Sequence, residues 1–125
     1  MAAVSLDSLA EIIPVNYKVN IDMKIIRNSI IPFKGFCAIN LFGVIFARHE
    51  AYLSETVLNH ERIHTAQMKE LGYVLFYVIY FIEWLVRLLV PGNAYRNISF
   101  EREAYNNQRN SFYLERRKSF AMWRK

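Results

Sequence analysis

The sequence predicts an α+β domain, a small N-terminal β unit followed by three helices. Three observations carry that reading. Residues 15–27 (VNYKVNIDMKIIR) partly alternate polar and apolar side chains, as a half-buried strand does. The stretch GFCAINLFGVIFAR that follows is rich in β-branched and aromatic residues. Beyond residue 53 the pattern changes to helix caps and long runs without strand alternation.

Within the β unit, Pro32 and Gly35 punctuate a turn, and Gly43 breaks the second apolar stretch into either one bent strand or a tight hairpin. Ser54 can cap a first helix, with Glu55 near the positive end of its macrodipole. That helix should run to about Leu71, where Gly72 ends or kinks it. Residues 73–90 are apolar almost all round until Pro91-Gly92 stops them. A third helix is expected from Ser99 towards the C-terminus. Residues 1–13 read as a loose extension and 14–125 as one domain, the size of a single modest core.

Composition narrows the function. The chain is 54% hydrophobic and 15% aromatic, which excludes a disordered chain. The one cysteine, Cys37, permits no internal disulfide, fits a reducing, intracellular setting, and reads as a small buried hydrophobe. No secretory signal is expected, because Asp7 and Glu11 interrupt the apolar residues of the N-terminus. Zinc-ribbon cysteine pairs are absent, so a bound metal would have to be held by histidine and carboxylate.

Two of the three histidines fall in LNHERIHTAQ, four residues apart. On a helix, i and i+4 share a face, so His60 and His64 can converge on one ion. Zn²⁺ suits two imidazole nitrogens in a tetrahedral shell. Glu61 sits about 100° further round, placed to reach a metal-bound water without ligating the metal. The pattern is HExxH, in which two residues bind and a third acts as base.

A working site needs a third protein ligand and a fourth position left for water. Glu101 heads a helical face that continues through Ala104, Tyr105, Gln108 and Phe112, small and then apolar, as close packing on the first helix requires. Glu103 points nearly the opposite way, along a face with Asn106, Asn107 and Asn110 that reads as solvated. The facing argument favours Glu101, with Glu103 and His49 as rival candidates.

HERIH followed on a later helix by Glu101-Arg102-Glu103-Ala104 resembles the gluzincin metallopeptidases. The nearest are the membrane-linked cores of the CAAX prenyl-protease and β-lactam-sensing antirepressor types. The resemblance spans roughly residues 36–105, although only the two short motifs are specific. It implies a zincin-like core, with His60, His64 and Glu101 as zinc ligands and Glu61 as catalytic base. It also implies that the strand upstream of the zinc helix runs along a bound peptide or unfolded-protein substrate. Where the family often carries Asp four residues after the ligand Glu, this chain has Tyr105, which can accept from an imidazole N–H or donate to a developing oxyanion. A zinc-binding regulatory or membrane-associated module without catalysis is the alternative.

Residues 71–90 could form a helix about 30 Å long, the thickness of a bilayer's hydrocarbon core. Glu83 and Arg87, in the favourable order for an i, i+4 ion pair, weaken the case for a span. A buried or membrane-associated helix covering the zinc helix is the preferred reading. Tyr73, Tyr77 and Tyr80 read as packing. Residues 101–125 hold seven Lys/Arg against three acids, which reads as a solvated helix face or suits an anionic membrane surface. No specific nucleic-acid partner is expected, since no nucleic-acid fold accompanies the charge.

Overall fold

The computed structural model describes residues 23–32 and 37–124; the expected N-terminal extension and the first half of the first strand lie outside them. The chain is α+β. Strands β1 (Lys24–Asn28), β2 (Ala38–Leu41) and β3 (Val44–Arg48) form one sheet in the order β1-β3-β2. β3 is central, parallel to β1 (Ile26 opposite Phe46) and antiparallel to β2 (Ile39 opposite Phe46).

Of the two readings of the second apolar stretch, the hairpin is the one formed, across residues 38–48. Phe42 and Gly43 make a two-residue turn with φ of 53° and 87°. Both angles are positive, the geometry that matches the twist of paired strands and that Gly43 accepts without steric cost.

Helix α1 (Glu55–Glu70) begins as expected, with the Ser54 hydroxyl accepting from Val57 N–H at 3.1 Å. Gly72 and Tyr73, with φ of 68° and 65°, end it and turn the chain by 110° into α2 (Val74–Leu88). Helix α3 (Ser99–Asn107) follows, then a single turn α4 (Tyr113–Arg116) and a 3₁₀ turn at Ala121–Trp123.

Helix α3 starts where expected but stops at Asn107, well short of the C-terminus. Its last carbonyls find another donor: Asn59 Nδ2 on α1 reaches Asn107 O, Gln108 O and Asn110 O at 3.3, 2.8 and 3.0 Å. A side chain from elsewhere thus satisfies groups that a longer helix would have used internally. Its first turn is capped from outside too, because Glu83 on α2 accepts from Ser99 N–H at 3.0 Å and from the Ser99 hydroxyl. The expected pairing of Glu83 with Arg87 is therefore replaced by a helix cap. Glu83 and Asn59 together clamp α3 at both ends.

Two apolar clusters flank α1. Ile45, Ala47, Leu53 and Leu58 join it to the sheet. Met68, Phe76, Ile98, Phe100 and Met122 join it to α2, α3 and the closing turn. Phe100 is wholly buried, with its ring centroid 4.5 Å from that of Phe76. Burying a side chain of that size contributes roughly 1.5–3 kcal/mol and anchors α3 beside its neighbour Glu101. Of the expectation that α2 is buried or membrane-associated, burial is not what is found: Phe76 alone among its residues is buried. Among the described residues, no single helix is long and apolar enough to cross a membrane.

Candidate metal centre

The i, i+4 spacing on α1 brings the two imidazoles together, and the clamped α3 delivers Glu101 to them. His60 Nε2 and His64 Nε2 lie 3.1 Å apart. Glu101 Oε1 stands 3.1 Å from the first and 3.2 Å from the second. All three residues are buried, and their ligand atoms form one group able to hold a metal ion.

The orientation of each ring is set from behind. Gln67 Nε2 donates to Phe100 O at 3.0 Å and to Glu103 Oε1 at 2.9 Å, so its carbonyl oxygen must face His64 Nδ1, 2.8 Å away. His64 therefore carries its N–H on Nδ1 and turns Nε2 towards Glu101. Gln108 Oε1 plays the same part for His60 Nδ1 at 2.9 Å. Two imidazole lone pairs and a carboxylate oxygen then point at one spot, an arrangement that demands a cation or a proton between them. A tetrahedral shell with bonds of 2.0–2.1 Å has ligand-to-ligand edges of about 3.3–3.4 Å, close to the triangle found here. The residues fit a zinc ion.

Electrostatics agree. Burial alone would depress the His64 imidazolium, but the Glu101 carboxylate overrides it and pushes the pKa up to about 9. Burial works the other way on Glu101. His64, together with hydrogen bonds from His60, His64 and Tyr80, nevertheless holds its carboxyl well below the usual range. Tyr80 donates to Glu101 Oε2 at 2.8 Å, so each carboxylate oxygen has its own partners. Glu61 is not part of the triangle. Burial pushes its carboxyl up against the pull of His64 and His60. Asn40 on β2 donates to its backbone carbonyl at 3.0 Å, fixing this turn of α1 against the hairpin.

Several expectations need correction. Glu103 is not solvated: it is 6% exposed, ion-paired with Arg117, and accepts from Tyr113 at 2.7 Å. Helix α3 is buried on two sides because the C-terminal segment folds back over the face that reads as polar. Arg117 consequently leaves the basic surface and also pairs with Glu70 at 2.9 Å. The Tyr105 hydroxyl reaches Tyr95 at 3.4 Å rather than an imidazole N–H. Its ring packs edge-on against His60, centroids 4.6 Å apart, beneath the Arg96 guanidinium. His49 sits exposed in the turn after β3, outside the cluster, and Cys37 is exposed rather than buried. Tyr77 does more than pack: it accepts from Phe42 N–H at 2.8 Å and donates to Asn40 O at 3.2 Å, occupying the hairpin end of β2.

Gln67, Gln108 and Tyr80 escaped the sequence reading. Gln67 follows His64 by three residues and Gln108 follows Glu101 by seven, so both share a helical face with a ligand. That spacing is the signal that could have found them. Compared with known protein families, curated proteins and solved structures, the chain matches none.

Proposed function

We propose that this chain is a zinc-dependent metallopeptidase that hydrolyses peptide bonds in peptides or unfolded proteins. The observation that carries the reading is the buried triangle of His60, His64 and Glu101, with Glu61 on the same helix and outside the ligand set. When bound, zinc supplies Lewis acidity and lowers the pKa of water to about 7.

The chain's own residues do the rest. Gln67 and Gln108 hold the two rings so that Nε2 faces inward. Tyr80 restrains the second oxygen of Glu101. Glu61, whose carboxyl is raised by burial, receives the proton from the attacking water on its carboxylate oxygen and returns it to the leaving amine. β2, an edge strand tied to α1 through Asn40, offers a backbone for an extended substrate.

A second reading, a zinc-binding module without catalysis, draws support from Tyr77, which already occupies part of that strand. Glu61→Gln separates the two. Under the peptidase reading the variant retains stoichiometric zinc and loses cleavage of a peptide library by at least about 100-fold, as expected for loss of a general base. Cleavage equal to that of the unaltered chain removes Glu61 as base. Zinc binding with no cleavage by either chain establishes the silent module.

A further inference from the structure

Helix α2 is built inside out. Every exposed residue along it is apolar, among them Val74, Leu75, Phe81, Ile82 and Leu85. These positions sweep through roughly 200° of the helix circumference at 100° per residue. Tyr80, Glu83 and Arg87 lie on the opposite, partly buried side, where Tyr80 holds Glu101 and Glu83 caps α3, while the half-buried Tyr77 holds the hairpin. A helix facing water on a packed domain has the reverse distribution. An outward face this wide and this apolar fits a hydrocarbon surrounding, with the polar groups kept for internal contacts.

The surroundings supply the matching headgroup chemistry. Trp123 Nε1 donates to the Ser99 hydroxyl, itself bonded to Glu83, so the closing turn is fixed beside α2. The Trp123 and Phe120 rings stack 5.9 Å apart and are 48% and 42% exposed. Between residues 99 and 124 the exposed charges are Arg102, Arg109, Arg116, Lys118 and Arg124 against Glu115 alone. Both buried acids of this stretch are already engaged, Glu101 with the imidazoles and Glu103 with Arg117, so a single anion is left among the exposed cations. Exposed aromatics beside arginine and lysine match the boundary between acyl chains and anionic headgroups.

We infer that the chain docks on an anionic lipid bilayer, with the outer face of α2 in the acyl region and the cationic C-terminal segment against the headgroups. Fifteen residues make a helix of about 22 Å, shorter than a hydrocarbon core of about 30 Å, so α2 lies in the interface rather than across it. This inference stands on α2 and the C-terminal segment and is independent of the metallopeptidase reading.

The test is co-flotation of the full chain with vesicles of phosphatidylcholine alone or with 30% phosphatidylserine, read also by the fluorescence of Trp84 and Trp123. Binding to the anionic vesicles with a blue shift is expected, weakening with salt. Ile82→Asp with Leu85→Asp should lower binding at least tenfold while leaving zinc content and helical circular dichroism unchanged. Arg116→Glu with Lys118→Glu should weaken binding to anionic vesicles only. No flotation, or flotation indifferent to the α2 substitutions, overturns the inference. So does a stable lipid-free dimer that the same α2 substitutions dissociate, which would assign the face to a second copy.

Discussion

His64 and Gln67, one turn apart on α1, meet at 2.8 Å between Nδ1 and Oε1, and the amide of Gln67 passes the contact on to Glu103. Arg117 pairs with Glu103 in turn, so His64 is oriented by a chain of contacts that ends in the C-terminal segment. The amide cannot be reversed, because a carbonyl placed against Phe100 O and Glu103 Oε1 would face two acceptors.

Gln67→Met keeps the volume of the side chain and removes every one of these bonds. Zinc affinity should fall about 10- to 100-fold, the usual cost of removing a ligand's outer partner. Stability of the metal-free chain should fall by about 1–3 kcal/mol, because Phe100 O and Glu103 lose a buried donor. Competition against a chromophoric chelator measures the first and urea unfolding the second. An unchanged zinc affinity would show that Gln67 does not orient His64.

The pH dependence of metal binding follows from the same contacts. In the metal-free chain the His64 pKa is raised to about 9 from the ordinary value of 6.5. A raised pKa means that the imidazolium contributes stability fully below pH 6.5 and loses it as pH rises through about 9. Zinc must displace that proton, so apparent affinity should climb about tenfold per pH unit from pH 6.5 and level off near 9. Melts in chelator should show stability declining across this window, whereas zinc-loaded protein should not decline. Titrations at half-unit intervals check the slope, and a flat profile between pH 7 and 8.5 would contradict it.

Arg117 and Glu103 are buried together, their side chains 5% and 4% exposed. Removing one partner of such a pair leaves an uncompensated charge, which costs about 3–5 kcal/mol. Arg117→Met should therefore destabilise by that amount and lower zinc affinity through Glu103 and Gln67. The double variant Arg117→Met with Glu103→Gln should recover part of the stability, since the more deeply buried carboxylate is neutralised and only the more exposed Glu70 is left without its cation. The adjacent exposed Arg116→Ala should stay within about 0.5 kcal/mol. Denaturant midpoints for the four chains form the test, and equal losses for Arg116 and Arg117 would refute it.

How far the sequence carries can be judged residue by residue. His60, His64 and Glu101 were legible because helical geometry fixes which residues share a face, and the three ligand atoms do meet. Ser54 and Gly43 were legible because caps and turns are local events. Glu103 and Arg117 were not. Their burial depends on a segment 14 residues further along the chain folding back, and no periodicity within α3 encodes that return. The early end of α3 has the same origin, since its cap, Asn59, lies 48 to 51 residues away. Helix α2 reads as either buried or membrane-associated for a related reason. Apolarity predicts exclusion from water, and nothing in the run says whether protein or lipid provides it.

Tyr80 and Tyr105 give the sharpest contrast between a residue chosen by resemblance and one revealed by packing. Tyr105 occupies the place where the resembling families often carry an acidic residue, yet among the described residues its hydroxyl bonds Tyr95, at 3.4 Å, and its ring supplies the contact with His60. Tyr105→Phe preserves that ring, so zinc affinity and any peptidase activity should change by less than about twofold, as for loss of a weak exposed hydrogen bond. Tyr80→Phe deletes the donor to Glu101 Oε2 and leaves a buried carboxylate oxygen without its hydroxyl. Zinc affinity should then drop by about tenfold or more. The measurement is metal competition on both variants side by side, with circular dichroism confirming that each remains folded. A larger loss in Tyr105→Phe than in Tyr80→Phe would return the outer-partner role to Tyr105 and require its hydroxyl to turn towards the metal ligands.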